Sequence, residues 1–372
     1  MKKIALIGDT HFARKAEHPL IKKYIKDGQL EFFDYLIEEL KLRDVDTVIF
    51  TGDIHDTRHS INVEALVNTK RLFQEKMTDF DIHIILGNHD MYHENDYNIT
   101  SLELFEDIPN VTVYRDKVTK ANWFDKEWYL FPWIIDNNIE KTTEFLEKLA
   151  KKPKKQRDNT VLFGHFEMLG IAMEGSSIST FGMDTNLFLN AAGLVISGHY
   201  HGMSETTKGD STILYTGSPY PMTFANANQS HGIWILDENL TYEFIPNKIS
   251  PRFVDIWDTD DIDSIKDSSN AFVRLYMSNT LSKEEEFEIR MKVEKTNPLL
   301  IRPMPYKGTR EEVEEKDEVH REANRILAMD TLNLSEIYIN QNADSLPELK
   351  LYEDSKKEVL SRIKNYKETI NA

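Results

Sequence analysis

Cysteine is absent from the 372-residue chain. That excludes disulfides and thiolate metal sites, leaves oxygen and nitrogen ligands for any metal chemistry, and suits an intracellular, reducing setting. Cations are scarce against acids, 45 Lys and Arg to 63 Asp and Glu, for a net charge of −18. A surface of that sign repels phosphate backbones, so a nucleic-acid ligand requires local positive charge from a metal centre, a basic patch or a second subunit. Long apolar runs are missing too. The apolar start stops at Asp9, too early for a signal peptide or a membrane span, so it reads as a first strand and no membrane association is expected. No internal repeat or low-complexity tract occurs. With 40% hydrophobic and 29% charged residues, the composition is that of a folded, water-soluble chain.

What the chain does have is one ending used repeatedly. Ile4-Ala5-Leu6-Ile7-Gly8 runs into Asp9-Thr10-His11, and Val48-Ile49-Phe50-Thr51-Gly52 into Asp53-Ile54-His55-Asp56. Ile82-His83-Ile84-Ile85-Leu86-Gly87 leads to Asn88-His89-Asp90, Val161-Leu162-Phe163-Gly164 to His165, and Leu194-Val195-Ile196-Ser197-Gly198 to His199-Tyr200-His201. Each run has the length and β-branched content of a buried strand. Glycine after each strand permits a sharp turn and close approach of neighbouring backbones. Ligands so far apart in sequence converge only at one edge of a rigid sheet. The candidates are Asp9, His11, Asp53, Asn88, His89, His165, His199 and His201, more than one ion needs, and an aspartate can bridge two. Carboxylate, amide and imidazole together suit Mn, Fe or Zn better than an all-oxygen Mg or Ca cage.

At these residues the chain resembles the calcineurin-like metallophosphoesterases, whose pattern is Asp-x-His, Gly-Asp-x-x-[Asp/His], Gly-Asn-His-[Asp/Glu], Gly-His and Gly-His-x-His. All five occur in order in the first two-thirds of the chain. Gly52 to Thr57, the long segment from His165 to His199, and Tyr215-Thr216-Gly217-Ser218-Pro219-Tyr220-Pro221 with Phe224 look like the SbcD-type recombination and repair nucleases, including the phage subunits. The resemblance implies an α/β (α+β) fold: a metallophosphoesterase β-sandwich flanked by helices, a small α+β capping domain and a helical C-terminal tail. It implies two divalent ions, most fittingly Mn, one held by Asp9, His11, Asp53 and His201 and the other by Asp53, Asn88, His165 and His199. His89 then stabilises transition-state charge or protonates the departing sugar oxygen, with Asp90 orienting it or serving the turn. Asp56, Ser218 and Pro219 shape the pocket, and Arg14, Lys15, Asp56 and Ser218 contact substrate. His55 and His59 are expected near the metals or the substrate.

Along the rest of the chain, Arg14, Lys15, Lys22, Lys23 and Lys26 read as a basic loop beside the metals. Helical spacing appears over Gln29–Leu42, Val63–Met77 and Thr142–Leu149. Trp123, Trp128, Tyr129 and Trp133 read as core, and the basic run Lys151–Arg157 as a solvated helix end. Ile213–Tyr215, Gly232–Leu236 and Thr241–Ile245 read as antiparallel strands. The segment from Pro246 to Pro251 marks a boundary, so the expected division is a catalytic domain over 1–250, a capping and DNA-binding domain over 251–308, and a charged link with a helical tail over 309–372. In the capping part Ser282 and Glu285 form a capping box before a helix that includes Phe287 and Met291. In the tail, Leu349, Tyr352, Val359, Ile363, Tyr366 and Ile370 make a narrow apolar seam after a Ser345–Glu348 capping box.

The expected activity is Mn-dependent DNA hydrolysis, 3′-to-5′ exonucleolytic and endonucleolytic on single strands. The partners are DNA and an SbcC-type coiled-coil ATPase gripped by the tail, with a possible homodimer, in the cytoplasm (the host's if phage-encoded). The alternative is a phosphatase or phosphodiesterase for small-molecule or protein substrates, because the metal residues alone do not separate the two.

Overall fold

A computed structural model describes residues 2–16, 18–173, 178–264 and 267–314. The chain begins with β1 (Lys3–Ile7), α1 (Pro19–Leu42), β2 (Thr47–Phe50), α2 (Val63–Arg71), β3 (Asp81–Ile85) and β4 (Val111–Tyr114). It continues with β5 (Thr119–Trp123), β6 (Lys126–Phe131), α3 (Asp136–Ala150), α4 (Lys154–Arg157), β7 (Thr160–Gly164), β8 (Met168–Leu169), β9 (Met183–Asp184), α5 (Thr185–Ala191) and β10 (Leu194–Ser197). Then follow β11 (Ser204–Lys208), β12 (Ser211–Tyr215), β13 (Gly232–Asp237), β14 (Tyr242–Pro246), β15 (Arg252–Trp257), β16 (Ala271–Ser278), α6 (Lys283–Lys295) and β17 (Leu300–Tyr306).

Two six-stranded sheets form, in the orders β14-β13-β1-β2-β3-β4 and β11-β12-β10-β7-β6-β5. Their centres are parallel, β1 to β4 in one and β6, β7, β10 and β12 in the other, as strand–helix alternation dictates. The strand Ile213–Tyr215, expected to be antiparallel, pairs antiparallel with β11 but parallel with β10. Side-chain alternation explains the layering. Ile4, Leu6, Ile49 and Ile85 point between the sheets at Trp128, Val161, Phe163 and Ile196, while Ala5, Ile7, Val48, Phe50, Ile82 and Ile84 share the opposite face with Phe33, Leu36 and Leu40 of α1. On the outside of the second sheet, Leu162, Val195 and Ile213 pack with Leu146, Leu149 and Phe188 of α3 and α5. The result is a sandwich whose central strands are buried on both faces.

α1 starts ten residues before the expected Gln29. His18 caps it, its ring nitrogen accepting the Leu20 N–H at 3.3 Å, and Pro19 supplies a preset φ for the first turn. Lys22, Lys23 and Lys26 therefore lie on a helix, not a loop, and Lys26 pairs with Glu64 at 3.0 Å. α3 likewise starts earlier than expected, at Asp136.

The third sheet, β15-β16-β17, is parallel, with α6 joining its last two strands. Ser282 and Glu285 do form the capping box. Ile256, Val273 and Leu275 face Ile289 and Val293 of α6. Phe253 and Phe272 turn the other way, onto Ile21, Tyr24 and Ile25 of α1. Residues up to Tyr306 form one compact unit, and a second begins at Lys307. Of that second unit the structure describes 307–314, where Thr309 accepts the Glu312 N–H at 3.3 Å at the start of a helical stretch. The expected tail helices lie outside the described residues. Among the described residues no helix is long and apolar enough to cross a membrane.

Candidate metal centre

The carboxyl ends of β1, β2, β3, β7 and β10 all open on one edge, because parallel strands point the same way. The loops there are held under strain. His11, Asp53 and His199 have φ of 40°, 53° and 87°, a region side chains usually avoid. Compensating bonds hold them: the His11 and Phe12 amides donate to the Asp53 and Ile54 carbonyls at 3.0 and 2.8 Å. Two glycines are required by proximity. A Cβ on Gly87 would stand 2.1 Å from Asp53 Oδ1, and one on Gly198 2.5 Å from Asp9 Oδ1. The first contact brings the β2 and β3 ends of one sheet together, and the second brings the two sheets together; each is possible only without a Cβ.

All eight candidate ligands meet there. His201 Nε2 lies 3.0 Å from His11 Nε2 and 3.8 Å from Asp9 Oδ2, and His11 Nε2 is 3.6 Å from Asp53 Oδ2. His165 Nε2 lies 3.3 Å from Asp53 Oδ2 and 3.0 Å from Asn88 Oδ1, which is also 3.3 Å from His199 Nδ1. Three groupings have ligand atoms within 4.8 Å of one another: Asp9–His11–His201, His11–Asp53–His89 and Asp9–Asp53–His165. Two imidazole nitrogens aimed at each other next to carboxylates make a poor hydrogen-bond network and a good cation cage. The donor set fits two divalent ions with Asp53 between them. It is also fixed from behind, since His165 Nδ1 donates to the Thr51 carbonyl at 2.8 Å.

The electrostatics agree. Burial pushes Asp53 up, but His165, His89 and His11 outweigh it and hold the carboxyl well below its ordinary range. Burial, then His201, drives His11 far down, so its ring stays neutral. Burial lowers His165, yet Asp53 and Asp9 prevail and raise it to about 9. The buried acids thus demand positive charge at this spot, a demand that a divalent ion meets by displacing the proton.

Other expected residues fall into place unevenly. His89 is half-buried, and its Nδ1 donates to the Asp56 carbonyl at 2.6 Å, turning Nε2 toward the centre. Asp90 does not serve His89. It is buried and accepts the amides of Asp53, Ile54 and Gly87 at 2.8, 3.0 and 3.0 Å, so it pins the bridging loop. Burial, then the Asp53 charge, raises it to about 7. Asp56 lies 3.5 Å from His11 Nδ1 and 3.9 Å from Arg14 Nε. Lys15 is exposed. Ser218, expected to meet substrate, is 1% exposed, and its hydroxyl engages the Tyr220 carbonyl and His231 Nδ1 at 3.1 and 3.0 Å. It shapes the loop beneath His201 and cannot reach a substrate. His55 is buried against Phe105, and burial drives its ring down to about 4, a core histidine. Lys151–Arg157 precedes β7, at the end away from the metals. There Lys152 pairs with Glu127 and Lys154 with Asp158, at 2.9 and 2.8 Å.

Sequence reasoning missed two side chains at this edge. Trp133, read as core, packs its ring 5.1 Å from the His199 ring and 5.8 Å from that of His165. Glu167 comes within 3.6 Å of His199 Nε2. Its place two residues after a ligand was the only available signal.

A parallel α/β sandwich whose strand ends deliver this mixed ligand set defines a metal-dependent phosphoesterase. The chain belongs to the calcineurin-like phosphoesterase family, whose model matches residues 2–203. It is 31% identical over 248 residues to Exonuclease subunit 1 of Enterobacteria phage T4, an alignment covering 66% of this chain and 68% of that protein. It is 25% identical over 272 residues to the SbcD component of the SbcCD nuclease of Staphylococcus saprophyticus subsp. saprophyticus, covering 66% and 69% respectively.

Proposed function

We propose that the chain is the nuclease subunit of a DNA end-processing complex, hydrolysing phosphodiesters at a two-ion centre. The observation that carries this reading is the convergence of Asp9, His11, Asp53, Asn88, His165, His199 and His201 at one edge, in a chain whose relatives include an exonuclease subunit and a nuclease subunit. Asp9, His11, Asp53 and His201 would hold one ion, and Asp53, Asn88, His165 and His199 the other. Mn fits this nitrogen–oxygen set, and such ions polarise phosphoryl oxygens and acidify water. The chain's own residues supply the rest. Asp90 and the strained loops hold Asp53 and His199 to a fixed geometry. His89, anchored through Nδ1, presents Nε2 to a phosphoryl oxygen or to the leaving sugar oxygen, which takes a proton as the P–O bond breaks. Arg14 lies beside Asp56 at the rim, where a substrate phosphate arrives.

The finer assignments belong to the same reading: 3′-to-5′ exonuclease and single-strand endonuclease action, a catalytic region over 1–250, DNA contacts from the 251–308 cap, a tail over 309–372 that binds an SbcC-type ATPase, homodimer formation and a cytoplasmic site of action. An ATPase partner accounts for DNA affinity in a chain with net charge −18. The test is cleavage of labelled duplex and single-stranded DNA in Mn or Mg, beside a generic phosphoester. Metal-dependent nucleolysis is expected. Turnover of the generic ester with intact DNA would make the chain a phosphatase instead.

A further inference from the structure

His199 is the odd ring in the cluster. Two of its neighbours present Nε2 to the centre and donate from Nδ1 to a carbonyl, His165 to Thr51 at 2.8 Å and His89 to Asp56 at 2.6 Å. His11 likewise turns Nδ1 away, 3.5 Å from the Asp56 carboxylate and without a hydrogen bond. His199 is reversed. Its Nδ1 faces Asn88 Oδ1 at 3.3 Å, and its Nε2 points outward to Glu167 Oε1 at 3.6 Å. A neutral imidazole carries one N–H, and the ring binds a metal only through the nitrogen without it. We propose that Glu167 is a positioning residue that keeps the His199 proton on Nε2 and so leaves Nδ1 bare beside Asn88 Oδ1, completing the half of the centre formed by Asn88, His165 and His199. This rests on the reading of His199 as a ligand.

Both possible partners of the ring are acceptors, so charge decides between them. Asn88 Oδ1 is neutral and already approached by His165 Nε2 at 3.0 Å, whereas Glu167 is a carboxylate, the stronger acceptor. Its backbone is held on every side. The Phe166 N–H donates to Ser197 Oγ, and the Phe166 carbonyl accepts the Tyr215 hydroxyl, both at 2.9 Å. The Glu167 carbonyl accepts the Met183 N–H at 2.9 Å. The His199 ring is itself confined, with Trp133 at 5.1 Å and Tyr200 at 4.8 Å between ring centres. Packing therefore sets where the ring lies, and what remains open is which nitrogen bears the proton. A carboxylate on a rigid segment settles that at little entropic cost.

The experiment uses the full chain with Glu167→Ala, Glu167→Asp and Glu167→Gln. Long-range ¹H–¹⁵N spectra of the metal-free protein read the His199 tautomer, and titration with Mn²⁺ followed by electron paramagnetic resonance reads both affinities. Glu167→Ala should mix the tautomers and weaken one Mn²⁺ site about 10–100-fold, the scale of lost outer-shell partners, while the other site holds. Glu167→Asp, whose carboxylate is drawn out of reach, should behave likewise and serves if the alanine variant does not fold. Glu167→Gln should restore most of both signals, because its amide oxygen still accepts. Unchanged tautomer and unchanged Mn²⁺ affinities in the Ala and Asp variants would overturn the proposal. A wild-type protein that binds no Mn²⁺, or a His199→Ala variant that binds it unchanged, overturns the metal-centre reading itself and the proposal with it.

Discussion

Two of the molecule's parallel-sheet edges carry buried or engaged carboxylates, and among the described residues only one of them gathers groups able to hold a metal. In the small β15-β16-β17 sheet, the carboxylate after the first strand is fully engaged. Asp258 accepts the Ser278 N–H and the Tyr306 hydroxyl, each at 2.7 Å, and the neighbouring Asp260 accepts the Trp257 N–H at 2.8 Å. At the sandwich edge, Asp53 Oδ1 accepts the His89 N–H at 2.8 Å, but Oδ2 sits among histidine nitrogens at 3.3 and 3.6 Å. Among the described residues, every grouping able to hold a metal falls at the sandwich edge. Parallel topology alone therefore does not make a site. The distinguishing feature is a surplus of acceptors over donors: satisfied carboxylates close a turn, and surplus ones need a cation.

The largest test of that contrast removes the Asp53 charge, which two of the three candidate groupings share. Asp53→Asn should abolish DNA hydrolysis and lower metal occupancy, read by nuclease assay with elemental analysis; full occupancy with normal turnover would take Asp53 out of the centre. His89→Ala comes next. General acid–base groups contribute about 10²–10⁴-fold, so kcat should fall by that order while bound metal and DNA affinity stay near wild type. Loss of metal in that variant would make His89 a ligand, which its place in the His11–Asp53–His89 grouping allows.

The opposite edge should respond in the opposite sense. Asp258→Ala strands two donors and should cost roughly 1–3 kcal/mol in denaturant unfolding, with Mn²⁺ affinity and turnover of the folded protein unchanged. A metal defect there would erase the distinction drawn between the two edges.

The smallest effect comes from a histidine on the same strand run as Asn88. His83 hydrogen-bonds Tyr114 at 2.9 Å and packs on Trp123, and burial lowers its pKa although Asp81 opposes. Its folded value lies below the ordinary 6.5, so unfolding takes up a proton once pH drops beneath that ordinary value. Its contribution to stability is whole above that pH and is lost as pH falls through the lowered folded value. His83→Gln should flatten unfolding free energy against pH in that window by a small amount, with nuclease activity following wild type. A pH profile identical to wild type would remove His83 from the titrating set.

The candidate ligands could be read from the linear chain because each follows a strand whose apolar run is itself legible. Ile4–Leu6 and Val161–Phe163 are buried on both faces, and such strands need helices on either side and must end where the glycine stands. Local chemistry similarly announced the Ser282–Glu285 cap. Side-chain roles were less legible. Asp90 looked like a partner for His89, yet its oxygens reach backbone amides of a loop 36 and 37 residues away. Ser218 was expected at the pocket, but it is buried and its hydroxyl is taken by His231, which arrives from further along the chain.

Apolar runs of strand length, each ending in glycine, sufficed to pick out the candidate ligands and the edge where they meet, and the motifs those residues form carried the resemblance that implied the fold class. The tertiary structure alone decided which nitrogen of each histidine faces the centre, which carboxylates are satisfied and which are in surplus, and that Trp133 and Glu167 stand beside His199. Those properties depend on distances of about 3 Å, the reach of a hydrogen bond, between residues remote in sequence. Only packing of the two sheets sets such distances.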